Sequence, residues 1–171
     1  MFQKIDPKEL TQNPFSLIGD QWMLITAGDE QSVNTMTASW GGVGIMWGSP
    51  VATCYIRPQR YTKTFVDEED YFTLSFLPEA YRKELQFCGS HSGRDVDKFE
   101  ECGFNIREAE CGAPYIAQAE LVLVCKKQYA QPMDAGWLTD GDPDKIDERW
   151  YPTHDWHTMY IGQIVEAYLN R

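Results

Sequence analysis

The chain has 171 residues, with 15 Lys and Arg against 26 Asp and Glu, a formal net charge of −11. That length predicts one domain, residues 1–171, large enough to bury a core without disulfides or metals. The acidic balance excludes an extended surface for nucleic acid or an anionic membrane, and leaves room for a small anionic ligand where the few cations cluster.

Hydrophobic residues make up 43% and aromatics 13%, too many for a disordered chain. The longest apolar runs, such as Leu121 to Cys125, are strand-sized, and MFQKIDPKEL lacks the apolar core of a signal peptide. The five cysteines form no CxxC pair. A reducing, cytoplasmic setting is the expectation.

In chain order, β-branched and aromatic runs predict strands at Trp22–Ala27, Asn34–Ser39, Val51–Ile56, Tyr71–Phe76, Glu120–Tyr129 and Thr158–Leu169. Short helices are predicted over Tyr61–Glu69, Pro78–Phe87 and Asp95–Cys102. Asp95 or Asp97 would cap the last of these and Gly103 would end it. Thr139–Asp147, rich in Gly, Pro and Asp, reads as an exposed acidic loop. Gly41, Gly42, Gly44 and Gly48 lie between two strands, where they permit a bend. They do not form GxGxxG, and no βαβ unit follows. Many strands with few short helices point to an antiparallel barrel.

Three segments carry possible chemistry. Asn34–Gly41 alternates Thr35, Thr37 and Ser39, then presents Trp40: hydroxyls and amides for the polar edge of a planar heterocycle, or a solvent-facing stripe. Arg57-Pro58-Gln59-Arg60-Tyr61-Thr62-Lys63 packs three cations into seven residues at a strand end, with Thr62 as helix cap. That combination suits phosphate, although the cations could instead pair with Asp67, Glu68, Glu69 and Asp70. Cys88–Phe99 is a small-residue turn entering a capped helix, with Arg94 and Lys98 one turn apart. His154 and His157 are a weak metal pair with no third ligand fixed by spacing, so no metal site is assigned. The hydrolase motif GxSxG does not occur.

Together, NTMTASWGGVGIMWGSP (34–50), VATCYIRPQRYT (51–62), DYFTLSF (70–76), CGSHSGRDVDKF (88–99) and HTMYIGQIVEA (157–167) resemble the flavin reductase-like family with the FMN-binding split barrel, closest to its flavoredoxin-type branch. The resemblance implies a mainly β fold with short helices, a six-stranded antiparallel split barrel, and FMN near the interface of a homodimer. It implies that Met36, Thr37, Ala38, Ser39 and Trp40 touch the flavin. Arg57, Arg60 and Thr62 would take the ribityl chain and phosphate. Gly89, Ser90, Ser92, Arg94 and Lys98 would form the opposing wall, and His157 would lie at the ring's rim as the catalytic candidate. Gln163 and Trp156 depart from the family's pattern. The implied reaction is NAD(P)H-dependent flavin or flavoprotein reduction, with NADH or NADPH as co-substrate. The competing role is an electron carrier with a redox-protein partner. Trp137, Trp150, Tyr151 and Trp156, in or beside a polar segment, are expected as dimer anchors.

Overall fold

Strand alternation sorts the chain into two cores. A computed structural model describes residues 2–29 and 31–170. In order these form β1 (Phe2–Ile5), α1 (Pro14–Ser16), β2 (Met23–Gly28), β3 (Val33–Ala38), β4 (Gly41–Met46), β5 (Ser49–Ile56) and α2 (Thr62–Glu68). There follow β6 (Tyr71–Phe76), α3 (Arg82–Ser90), α4 (Lys98–Cys102), β7 (Ile106–Glu108), β8 (Pro114–Ile116), β9 (Leu121–Pro132), α5 (Pro143–Trp150) and β10 (Thr158–Asn170).

Eight strands form one antiparallel sheet in the order β3-β2-β6-β9-β10-β5-β4, with β1 added against β10. Six of them supply one interior: Met23, Ile25 and Ala27; Met36; Ala52, Cys54 and Ile56; Phe72, Leu74 and Phe76; Leu121, Leu123 and Cys125; Tyr160, Ile164 and Ala167. Outside β10 the period of two holds, because successive side chains of a strand point to opposite faces. The intervening Leu24, Val122 and Val124 face outward, into a second core with Leu85, Cys88, Phe104 and Ile116 beneath α3 and the β7–β8 hairpin. This is the split barrel, its six barrel strands extended by β1 and β4.

On β10 the pattern needs two local devices. At Gly162 a Cβ would lie 2.7 Å from Cys125 Cβ and 2.9 Å from the Phe72 ring, so only glycine lets the barrel close there. A register shift between Ile164 and Glu166 then flips the parity, returning Ala167 to the interior.

All six expected strands form, Tyr71–Phe76 with the expected ends and the others with ends shifted by at most three residues. The expected helices are shorter: Asp97 caps α4 by accepting from the Phe99 and Glu100 amides, and Gly103 ends it in the left-handed region. Two expectations change. The glycine-rich stretch is a paired strand, β4, turned back through Trp47-Gly48. The acidic "loop" contains α5, started by the Asp142 side chain on the Asp144 amide with Pro143 in the first turn. No helix of the described residues is long and apolar enough to cross a membrane.

Candidate functional site

The site grows from a strand edge. β3 ends the sheet, so its outer edge carries backbone groups without a strand partner. Lys98 covers this edge at Thr35, donating from Nζ to its carbonyl at 2.9 Å. Beyond it, Met36, Thr37, Ala38, Ser39 and Trp40 line a cavity of about 320 Å³ with Tyr55, Arg57, Arg60, Trp150 and His157. Rings dominate its walls. Trp40 packs on His157 at 5.0 Å and edge-on to Trp150 at 5.3 Å, with Tyr55 edge-on to His157 at 6.4 Å.

The hydroxyl stripe has a different role from the one its spacing suggested. Thr35 bonds Thr26 and the Ile25 carbonyl inside the fold. Thr37 donates to the Leu85 carbonyl of α3 at 2.5 Å. Both hydroxyls are taken up by neighbouring elements, so this strand offers a ligand the backbone of residues 36–40 and, of the stripe, Ser39 at the cavity wall.

The cations fall into two groups. Arg57 donates to Asp155 Oδ2 at 3.1 Å and to the Trp150 carbonyl at 2.6 Å, and its guanidinium lies over the Tyr151 ring. Lys63 pairs with Asp67 at 2.7 Å. Arg60, Arg94 and Lys98 have no carboxylate partner among the described residues. Arg60 Nη2 and Lys98 Nζ converge on one acceptor, the Cys88 carbonyl, at 3.1 and 3.0 Å. This carbonyl lies in the last turn of α3, where helical partners run out and the dipole is negative. Lys98 is only 3% exposed, and burial beside Arg60 lowers its pKa to about 8. Burial also lowers that of Arg60.

Arg60 thus lines the first cavity, while Lys98 and Arg94 line a second of about 380 Å³ with Asn34, Tyr61 and Phe65. Arg94 stacks over Tyr61 at 4.5 Å and donates to the Gln59 carbonyl. The remaining expected residues are placed less directly. Thr62 does not cap α2. It is buried and accepts from Asn34 Nδ2 at 2.9 Å, because Tyr61 already occupies the cap position in helical geometry. Gly89 lies over Thr37 in the last turn of α3. The Ser90 hydroxyl donates back to the Gln86 carbonyl, and Ser92 receives the Arg94 amide.

His157 is buried at the cavity wall, and desolvation followed by the nearby Arg57 charge lowers its pKa to about 4. Its Nδ1 is 2.8 Å from the Tyr151 hydroxyl. His154 instead faces Asp147 from an exposed position. The expected dimer anchors divide. Tyr151 is buried and stacked on Trp156 at 4.5 Å, whereas Trp137 is 80% exposed. Gln163 accepts from Gln128 across the β9–β10 pair. Sequence reasoning did not place Tyr55 or Trp150 at this cavity, nor Tyr151 behind His157. Tyr55 was findable, two residues before Arg57 on one strand face. The other two come from the end of α5 and the residue after it, beyond the stretch read as a loop.

A sequence model of the flavin reductase like domain matches residues 15–171. No curated protein sequence matches. Among solved structures, the chain is similar to flavoredoxin from Methanosarcina acetivorans, with 19% identity over 99% of this chain and 75% of that one, at a TM-score of 0.70. It is similar to an FMN-binding protein from Thermus thermophilus with bound 1-cyclohex-2-enone, with 22% identity over 96% and 76%, at 0.65. A Shewanella frigidimarina structure described as having a split barrel domain gives 16% over 97% and 75%, at 0.67. At these identities the likeness establishes the shared barrel.

Proposed function

The chain belongs to the flavin reductase-like family, and from that premise we propose that it is an FMN-dependent oxidoreductase that takes electrons from NADH or NADPH. One observation carries the cofactor assignment. In a chain of net charge −11, Arg60, Lys98 and Arg94 gather beside a ring-walled cavity with no ion pair to a carboxylate among the described residues; of the two acids at the second cavity, Asp95 and Asp97, Asp97 is taken up in capping α4. That donor set fits a planar heterocycle with an anionic tail.

In this reading the open edge of β3 at Met36–Trp40 supplies backbone groups to the polar edge of the ring. Trp40, Tyr55 and Trp150 exclude water from its faces. Arg60 and Lys98 hold the phosphate, with Arg94 closing the second cavity, through charged hydrogen bonds worth about 1.5–3 kcal/mol each. His157 stands at the rim of the cavity. When bound, FMN supplies the reversible two-electron chemistry that side chains lack. Arg57 serves the site indirectly, by tying the segment that carries Trp150 and Tyr151 down onto the cavity.

The test is the absorption spectrum of FMN-loaded protein before and after anaerobic addition of NADH or NADPH. Bleaching at a catalytically useful rate is expected. Failure with both donors defeats the enzyme reading.

The second reading, an electron carrier for a redox protein, draws on the charge of the segment beside the cavity. Asp134, Asp140, Asp142, Asp144 and Glu148 are exposed there, against Lys145 and Arg149. A basic partner protein would then reduce or oxidise the flavin at a rate that falls with salt, while nicotinamides act slowly. A homodimer is part of the proposal. Phe15, Ile45 and Trp47 are 85%, 66% and 69% exposed on α1 and the β4–β5 hairpin, an apolar surface that a second copy would cover. Sedimentation at micromolar concentration should show a dimer.

A further inference from the structure

His157 is the one ring of the cavity wall whose chemistry depends on where a proton sits. We propose that Tyr151 is its positioning residue: the phenol donates to Nδ1 and commits the imidazole to carrying its proton on Nε2, as a donor to a carbonyl oxygen of the ligand. This deepens the flavin reading for the identity of the acceptor, but the tautomer itself does not depend on it.

The direction of the hydrogen bond follows from an accounting of donors. Tyr151 is buried, and its hydroxyl has one proton to place. Among the described residues the only side-chain hydrogen-bond partner of that hydroxyl is Nδ1, at 2.8 Å. If Nδ1 held the proton, two donors would face each other or the phenol proton would be left buried and unpaired, at a penalty of about 1–3 kcal/mol.

Tyr151 cannot easily turn away. Its ring stacks on Trp156 at 4.5 Å with 17° between planes, and the Arg57 guanidinium lies 5.3 Å from its centroid. Trp156 is itself fixed by Asp147, whose Oδ1 accepts from the indole at 2.6 Å, and the Asp147 carbonyl receives the Tyr151 amide. The charged groups around the imidazole are Arg57 and Arg60 from the end of β5 and the following turn, and Asp155 two residues upstream. The two arginines oppose protonation and Asp155 favours it. With burial opposing it as well, the ring stays neutral under ordinary conditions. A neutral ring with Nδ1 occupied has one remaining polar atom, Nε2, and it must be the N–H.

The experiment uses full-length protein carrying ¹⁵N-labelled histidine, first without ligand. Long-range ¹H–¹⁵N spectra should show His157 protonated at Nε2 and bare at Nδ1 from neutral pH to about pH 5. Tyr151→Phe should introduce the Nδ1–H tautomer and raise the pH at which the ring charges. With FMN bound, reduction by the nicotinamide should slow by about 3- to 10-fold, while FMN affinity stays within about 2-fold. Wild-type protein with its proton on Nδ1, or an unchanged tautomer in Tyr151→Phe, overturns the proposal. The wild-type spectrum decides it even if the variant does not fold. If the spectra are as expected and no flavin binds, the Tyr151 assignment stands and the flavin reading falls.

Discussion

Arg57 and Arg60 are three residues apart and look alike in the sequence, yet the fold gives them opposite roles. Arg57 meets a carboxylate, a carbonyl and an aromatic ring, so its charge goes into holding residues 150–155 in place. Arg60 meets only a carbonyl, and shares it with Lys98. Two cations on one oxygen leave positive charge uncompensated in a half-buried place. The difference teaches that a cluster of cations marks a binding site only where its carboxylates are missing. The same rule separates Lys63, matched to Asp67, from Arg94, matched to nothing acidic among the described residues.

The strongest way to break this division is to remove the unmatched charges. Arg60→Met should weaken FMN binding by about 10- to 100-fold, the loss of one or two charged hydrogen bonds. Fluorescence titration of apoprotein with FMN measures it. Because the uncompensated pair resists charge, Lys98 also links ligand and proton. Its pKa is about 8 folded against 10.5 as the reference value. Between those values the unfolded chain binds more protons, so ligand-free protein should gain stability as pH rises through that window. Bound FMN should flatten the gain, because a phosphate beside Lys98 restores its charge. Thermal melts with and without FMN from about pH 7 to pH 10.5 decide the point.

On the matched side, Arg57→Met should act on stability before affinity. It removes a pair whose Asp155 carboxylate is largely buried, together with the bond to the Trp150 carbonyl. A loss of about 1.5–3 kcal/mol is expected by urea unfolding. Cleavage by a protease should quicken in the 139–147 stretch, with a smaller effect on FMN binding than Arg60→Met. The reverse order would show that Arg57 is the phosphate ligand and that its contact with Trp150 gives way when FMN binds.

The sequence made the barrel legible because strand chemistry repeats. Trp22–Ala27, Tyr71–Phe76 and Leu121–Cys125 each carry residues that suit a pleated, buried surface, and no helix competes for them. The cavity was legible in its strand-borne half, where Met36–Trp40 and Arg57–Arg60 follow one another in the chain. Its other half comes from α5 and the segment after it. There Asp142-Pro143-Asp144 looks like a turn until its capping geometry is considered, and the burial of Tyr151 depends on Trp156 and Arg57 arriving from elsewhere. Which hydroxyls were free was illegible for the same reason. Thr35 and Thr37 alternate as a ligand-facing stripe would, but the partners they bond belong to β2 and α3.

His157 provides an acid test of the matched region. Its pKa is about 4 folded against 6.5 as the reference value, through burial first and Arg57 second. The unfolded chain therefore takes up a proton between those values that the folded chain refuses, and stability should fall as pH drops through the window. The full difference is about 3 kcal/mol. Arg57→Met removes the second of three causes and should shrink the fall, whereas Arg60→Met, which removes the weakest, should shrink it less. Urea midpoints at about pH 7, 5.5 and 4 compare the three proteins.

The smallest effect belongs to Lys63→Met. The Lys63–Asp67 pair is a one-turn contact at the surface of α2, worth about 0.3–0.5 kcal/mol. Asp67 keeps a second partner in the Tyr160 hydroxyl, at 2.5 Å, so losing the lysine does not strand the carboxylate. Lys63 stands three residues after Arg60 in the same basic run, and reading the run as one phosphate site would give both a similar share of FMN binding. If matching by carboxylates is what decides, Lys63→Met leaves FMN affinity within about 2-fold while Arg60→Met does not. Equal losses in the two variants would return the site to the whole run and end the distinction.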